Sequence, residues 1–388
     1  MMHRFTRSQS PTRIVLRSAA ALTAGVLLLT SCSSTLPDDD ADTPDAAGDG
    51  AAVEAADAFL EPWLGGDDKQ LLIDEPLSAP IEPGTHVVYL DVGTPVSAVM
   101  WNNLQAPAEL LGLELERVET GRDAQSINAA MNTVVELEPD GVINITLDPI
   151  FFEGQIDKLA ELGIPMASGS VMNTVEFGLP EAFNGPDWMT LNGEVLGAAA
   201  ISRSGGSKEF VFYNVPEFPF SSYELDGAKS RIAELCDDCT LRVVDIPIAE
   251  LGSTASDRVV SDLQANPQTE YFIAAVDEVQ IGLPQKLSLA GLDVDGIAMW
   301  PAPPNYEQIA SGDQDATLSV DLNLMMWTVL DQLLREMNGD SYEWPDAQTR
   351  ASTLTRITDS SNAPEDPVLG YVGIDDYQDR FAANWLAD

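Results

Sequence analysis

Apolar positions between residues 84 and 345 switch between two periods: short unbroken runs, and stripes that repeat every three to four residues. Gly141 to Thr146 is one such run, as a parallel strand buried on both faces requires. Asp148 and Pro149 follow, a capping residue and a proline suited to the first helical position. Phe152, Ile156, Leu159 and Leu162 then fall on one helical stripe, Gly163 stops it, and Ile164 to Ser170 begins another strand. The same order of strand, acid, helix, glycine and strand recurs over residues 271–300. Further strands are predicted at 86–90, 113–119, 209–213 and 241–246, and a strand follows a short helix before Asp321. Helices are predicted at 96–112, 124–138, 187–203, 222–236, 255–265 and 323–337. Right-handed crossovers between such elements make an α/β fold of two doubly wound parallel-sheet lobes. A chain of 388 residues suits two such units, since single cores stop growing before that length.

The first residues read differently. Arg4, Arg7, Arg13 and Arg17 precede an apolar run, Ala19 to Leu29, too short to span a bilayer comfortably. It ends in Leu29-Thr30-Ser31-Cys32, which resembles the bacterial lipobox and implies cleavage before Cys32 and a lipid on that cysteine. Residues 1–31 are then a lipoprotein signal peptide, and residues 32–80 a disordered acidic tether in which 51–64 could form a loose helix. Beyond the signal, 63 acidic residues face 15 basic ones, a formal charge of −48. Such a surface repels nucleic acid and anionic headgroups, so neither is expected as a partner. Cys236 and Cys239 form a CxxC pair with no second pair, and His86 is the one histidine after the signal. Four zinc ligands are not at hand, and the pair closes a helix instead of opening one. A structural disulfide is expected, with no metal and no cofactor.

The order of elements from about 84 to 345 resembles the type I periplasmic binding proteins, in particular the ribose-binding-like group that serves ABC importers. Glu138-Pro-Asp-Gly-Val-Ile-Asn144, Leu162-Gly-Ile-Pro165, Val276-Asp-Glu-Val279 and Ile309-Ala-Ser-Gly312 carry the resemblance. It implies a three-crossover hinge, placed near 183, 321 and 360. The N-terminal lobe is then 84–183 with 322–358, and the C-terminal lobe 184–321 with 360–388. It also implies ligand contacts, carried over position by position. Asp148 matches an acid that bonds sugar hydroxyls. Ser222 falls where many members have an arginine. Val276 replaces an asparagine before Asp277, Trp300 stands near another ligand acid, and Asp321 lies beside a polar position. Gly93 to Ser97 replaces a loop whose stacking aromatics are absent here, and Pro284 falls inside an expected helix, where it could kink it.

Each of these residues has a plainer reading. Asp148 and Asp277 are also helix caps, and Phe218, Phe220 and Trp300 could be core or cleft. Ligands of open α/β sheets bind at the carboxyl ends of strands, where Asp148, Phe218, Phe220, Asp277 and Trp300 fall. The chain is therefore expected to be a solute-binding lipoprotein and no enzyme. It would be a monomer, lipid-anchored on the outer face of the cytoplasmic membrane, and would deliver a small molecule to an ABC permease. A sensory lipoprotein signalling to a membrane receptor is the alternative. An exported hydrolase is disfavoured by the lack of a Gly-x-Ser-x-Gly elbow or a cluster of metal ligands. No carried-over position holds Arg or Lys, so the ligand is expected to be neutral and sugar-like, or cationic, and not an acid.

Overall fold

The computed structural model describes residues 46–65 and 69–386; the expected signal segment and Cys32 lie outside the described residues. In chain order, α1 (Ala46–Leu60) comes first, then β1 (His86–Asp91), α2 (Pro95–Asn103), α3 (Gln105–Leu111), β2 (Glu114–Glu119), α4 (Ala124–Leu137), β3 (Gly141–Ile145), α5 (Glu153–Leu162) and β4 (Met166–Gly169). The four strands form a parallel sheet in the order β2-β1-β3-β4. Every residue of β3 is buried, whereas β2 at the edge alternates in exposure, as its position in the sheet dictates.

The second half repeats the plan with α6 (Pro186–Arg203), β5 (Glu209–Asn214), α7 (Pro219–Leu235), β6 (Thr240–Asp245), α8 (Ala255–Ala265), β7 (Tyr271–Ala274), α9 (Leu283–Ala290), β8 (Asp295–Ala298) and α10 (Pro303–Ser311). Its parallel sheet runs β6-β5-β7-β8. A parallel bridge from Met299 to Leu318 adds β9 (Ala316–Val320) beside β8. The chain then builds α11 (Leu322–Asn338), α12 (Ala347–Leu354), β10 (Thr355–Asp359) and α13 (Tyr377–Trp385). Pro284 sits in the first turn of α9, after a separate 3-10 turn at Asp277–Gln280, so it starts that helix and kinks nothing. Helix α6 is buried almost all round, between the second sheet, α7, α1 and α12. Gly193 and Gly197 of α6 meet the backbone of Glu224 and Ala228 on α7, and Gly227 of α7 meets the carbonyl of Thr190. Only glycine allows so close a crossing.

Two sequence expectations need correction. The tether assigned to 32–80 is, from residue 46, packed structure. Ala56, Leu60 and Trp63 are buried, and the Arg231 guanidinium lies 3.8 Å over the Phe59 ring. Leu71, Leu72, Ile73 and Leu77 are buried too, and Arg335 donates to the Glu75 carbonyl at 2.6 Å. An alanine-rich composition suggested solvation, yet most of its few large apolar residues find a face to cover, Leu64 excepted. The second correction concerns the C-terminal crossings. β10 pairs antiparallel with β9, so 347–359 belongs to the second lobe, and the third crossing is 339–346, not 360. Residues 360–376 then lead back to α13, which packs on α11 of the first lobe through Trp327, Tyr377, Phe381 and Trp385.

Candidate functional site

The carboxyl ends of both sheets face one another, and the loops that follow the strands build the site between them. After β1 the chain turns at Gly93, and Thr94 caps α2 in a reciprocal box with Ser97. Ser97 also donates to the buried Asp91 carboxylate, which pairs with Arg117. Tyr89, on β1 itself, reaches the Ser97 carbonyl at 3.4 Å. Thr146 follows β3 and Ser170 follows β4. From the other lobe come Phe218 and Phe220 after β5, Val276 and Glu278 after β7, and Trp300 after β8. These residues, with Val92, Val96, Met100 and Ile145, enclose a cavity of about 40 Å³.

The aromatic wall is continuous. Phe218 and Phe220 stack with ring centroids 5.0 Å apart and planes 17° from parallel. Phe220 meets Trp300 at 6.1 Å, and Trp300 meets Trp188 behind it at 5.9 Å. The Trp300 indole N–H donates to Glu224 at 3.4 Å, and burial raises that carboxyl well above the usual range. Thr146, Ser170 and Trp300 all hold left-handed backbone, at φ 70°, 56° and 66°. That conformation is costly for any residue with a Cβ and most of all for a β-branched one. Among the described residues only Glu138 and Asn173 share it without being glycine.

At the rim of the cavity, hydrogen bonds cross between the lobes. The Val96 amide, in the first turn of α2, donates to Glu278 Oε1 at 2.9 Å. Arg122, after β2, donates to the Val92 and Gly93 carbonyls and, across the gap, to the Ile248 carbonyl at 3.2 Å. Burial raises the Glu278 carboxyl, while the Val96 amide, Arg122 and the Thr94 hydroxyl oppose that shift.

Of the seven expected contacts, three come together in the cavity wall: Phe218, Phe220 and Trp300. The other four stand elsewhere. Asp148 is a half-buried cap whose carboxylate accepts from the Ile150 amide at 3.1 Å. Ser222 is exposed and donates to the Pro219 carbonyl. Asp277 is fully buried, where Gln280 and Gln314 donate to it, and burial pushes its carboxyl up to about 7. Asp321 caps α11 and accepts from the Leu324 and Gly373 amides, at about 6 for the same reason. Thr94, Val96 and Ser97 come from the loop that the resemblance placed at the cleft, while Tyr89, Met100, Thr146 and Glu278 line the cavity without having been expected there. For Glu278 the signal was the second acid of the Asp277-Glu278 pair, which points the opposite way from the first.

Two other features lie apart from the cleft. A groove of about 1070 Å³ runs between Met166, Leu179, Tyr342 and Trp344, at the amino-terminal start of β4, and its floor opens to solvent away from the strand ends. The sulfurs of Cys236, the C-cap of α7, and Cys239 lie at bonding distance, with Cα atoms 5.4 Å apart. With Asp238 they are the one gathering of three metal-type ligands among the described residues, but bonded sulfurs offer no thiolate.

The sequence matches no family model and no curated protein. Solved structures do match its fold. An ABC transporter solute-binding protein from Agrobacterium vitis with bound allitol superposes with a TM-score of 0.59 at 17% identity, covering 72% of this chain and 97% of that one. A carbohydrate transporter from Acidothermus cellulolyticus 11B in complex with myo-inositol gives 0.60 at 17%, covering 72% and 96%. An ABC transporter solute-binding protein from Mycobacterium smegmatis with bound glycerol gives 0.60 at 18%, covering 75% and 99%. With its two parallel-sheet lobes and the crossings between them, this chain has the fold of the type I periplasmic solute-binding proteins.

Proposed function

We propose that the chain is an extracytoplasmic solute-binding lipoprotein, held by lipid on Cys32, that closes its lobes on a small neutral or cationic molecule and presents it to an ABC-type permease. One observation carries the reading: a cavity built from the carboxyl ends of both sheets, with the Val96–Glu278 and Arg122–Ile248 bonds joining the lobes across its rim. A ligand that touches both walls favours the closed arrangement by its differential affinity for it. No basic side chain lines the cavity, and Glu278 already occupies the amino end of α2, so a buried anion would lack a partner. Phe218, Phe220 and Trp300 serve as the contact faces. Asp148, Asp277 and Asp321 hold backbone and network positions outside the cavity lining, and Ser222 lies on the surface. Cys236 and Cys239 pair as a structural disulfide at the end of α7.

The test is calorimetry of the exported chain across sugars, polyols, amines and organic acids, with mass spectrometry of solutes that co-purify. A neutral or cationic ligand is expected, and Phe220→Ala or Trp300→Ala should each weaken it by roughly 1–3 kcal/mol. Tight binding of an organic acid, indifferent to both substitutions, overturns the assignment. Lipid labelling that survives Cys32→Ala overturns the anchor.

A further inference from the structure

The hydrogen-bonding capacity of the cavity is almost entirely spent inside the protein. Ser97 bonds Asp91, Thr94 bonds Ser97, and Glu278 accepts the Val96 amide. Ser170 is held by Asn184, whose amide donates to the serine hydroxyl at 2.9 Å while its carbonyl accepts the Ser170 N–H at 2.6 Å. The Trp300 N–H points away, to Glu224. Thr146 differs. Its hydroxyl is buried without a partner, and it sits on left-handed backbone that a β-branched residue adopts only under strain. The Tyr89 hydroxyl donates to the Ser97 carbonyl at 3.4 Å, and the remainder of the wall is aromatic or aliphatic.

Resting on the solute-binding reading above, we propose that the cleft selects a compact apolar ring bearing one hydroxyl, with Thr146 recognising that hydroxyl, and that it discriminates against polyols. A polyol brings several hydroxyls, each needing a partner once water is expelled, and Thr146 is the one lining side chain whose polar atom has no partner at all, the others having most of their capacity already engaged. A flat or alicyclic ring gains the faces of Phe220 and Trp300 and leaves little polar surface unmet. Size does not make the choice. The closed cavity of about 40 Å³ suits no more than a few waters, so any ring enters as the lobes part or Phe218 turns, whatever its polarity. The strain at Thr146 is consistent with a side chain held for use, since nothing inside the protein bonds the hydroxyl it positions.

The experiment is calorimetry of the exported chain with phenol, cyclohexanol, toluene, glycerol and myo-inositol. Phenol or cyclohexanol should bind at least about 10-fold tighter than either polyol. Thr146→Val should cut phenol affinity by about 10-fold and leave toluene unchanged, because only the hydroxyl is lost. Should Thr146→Val fail to fold, Thr146→Ser keeps the hydroxyl and must keep phenol binding. Tighter binding of myo-inositol or glycerol than of phenol overturns this inference while leaving a solute-binding protein in place. No binding by any of the five, with no solute co-purifying, overturns the solute-binding reading itself.

Discussion

Asp277 and Glu278 are adjacent, yet one holds a lobe together and the other joins two lobes. Asp277 lies under the second sheet, with Gln280 and Gln314 donating to its carboxylate and Asn305 donating to its carbonyl. Burial outweighs those bonds, so its carboxyl rises from 3.8 to about 7, and the Glu278 charge adds to the rise. An acid raised by folding stabilises the fold in full below its unfolded value and loses that contribution as pH climbs through the folded value. Wild-type stability should therefore fall between about pH 4 and pH 7 at this site, with an upper scale of about 4 kcal/mol at ~1.4 kcal/mol per pH unit. Asp277→Asn should flatten that window in denaturant titrations while leaving the slope outside it. An unchanged slope would show that Asp277 is ionised in the fold across the range. The sequence identified Asp277 as a polar residue of consequence but gave it to the ligand. A cap-type acid after a strand looks the same whether it faces a cleft or a buried glutamine pair, and Gln314 arrives from 37 residues away. Thr146 was invisible for a related reason. Its distinguishing feature is a positive φ, and no local residue pattern announces strain in a threonine.

Elements were more legible than residues where periodicity is local. The runs at 86–90 and 141–146 became β1 and β3, and the stripe led by Phe152 became α5 once the 3-10 turn at Pro149–Phe151 is set apart. The helix expected over 96–112 splits at Leu104 into α2 and α3, so Pro107 falls in the first turn of α3, where it is tolerated. One element that owes its shape to a partner, β10, was missed, whereas the helix predicted at 187–203 is α6. β10 carries Thr355 and Arg356 between weakly patterned neighbours and is a strand because β9 offers it an edge. α6 gives little amphipathic signal because it is covered on every side, and its glycines would ordinarily argue against a helix. They are there for α7. A methyl group at Gly193 would overlap the Glu224 carbonyl, and one at Gly227 would overlap the Thr190 carbonyl. Gly193→Ala or Gly227→Ala should each destabilise the protein by about 3 kcal/mol or more, since the obstacle is backbone and cannot rotate away. Gly154→Ala, with open space around it, is the control and should be neutral or slightly stabilising. Equal thermal midpoints for all three would contradict the close crossing.

At the scale of the whole chain, the two lobes were readable because each repeats one grammar, while the traffic between them was not. Crossings depend on which surface a segment covers, and composition misled at both ends. The amino-terminal arm docks α1 on α6 and α7 of the second lobe, then lays residues 69–80 along α11 and α13 of the first. The carboxyl-terminal tail crosses the same border in company with it. Lys69 donates to the Tyr371 hydroxyl at 2.5 Å, Arg380 to Gln70 at 3.0 Å, and the Leu77 amide to the Asn384 carbonyl at 2.9 Å. Beneath this meeting point lies a crossing of the hinge itself. Gly373 of the tail donates to Asp321, and Asn323 donates to the Leu369 carbonyl. The two chain ends thus tie the lobes together in addition to the three crossings of the fold, beside the 321–323 crossing, where the proposed opening of the lobes would act. We expect this belt to restrict opening. Spin labels at Gln125 and Ser253, exposed on opposite lobes near the rim, would report the interlobe distance in the ligand-free protein. Trp63→Ala, which removes the large buried side chain that follows α1, should undock the arm and broaden that distribution toward longer distances. Tyr371→Phe, which deletes the hydroxyl that Lys69 holds, should broaden it less, because the backbone bonds of the tail to Asp321 and Asn323 remain. A distribution unchanged by both substitutions would mean that the arm rides on the lobes without constraining them.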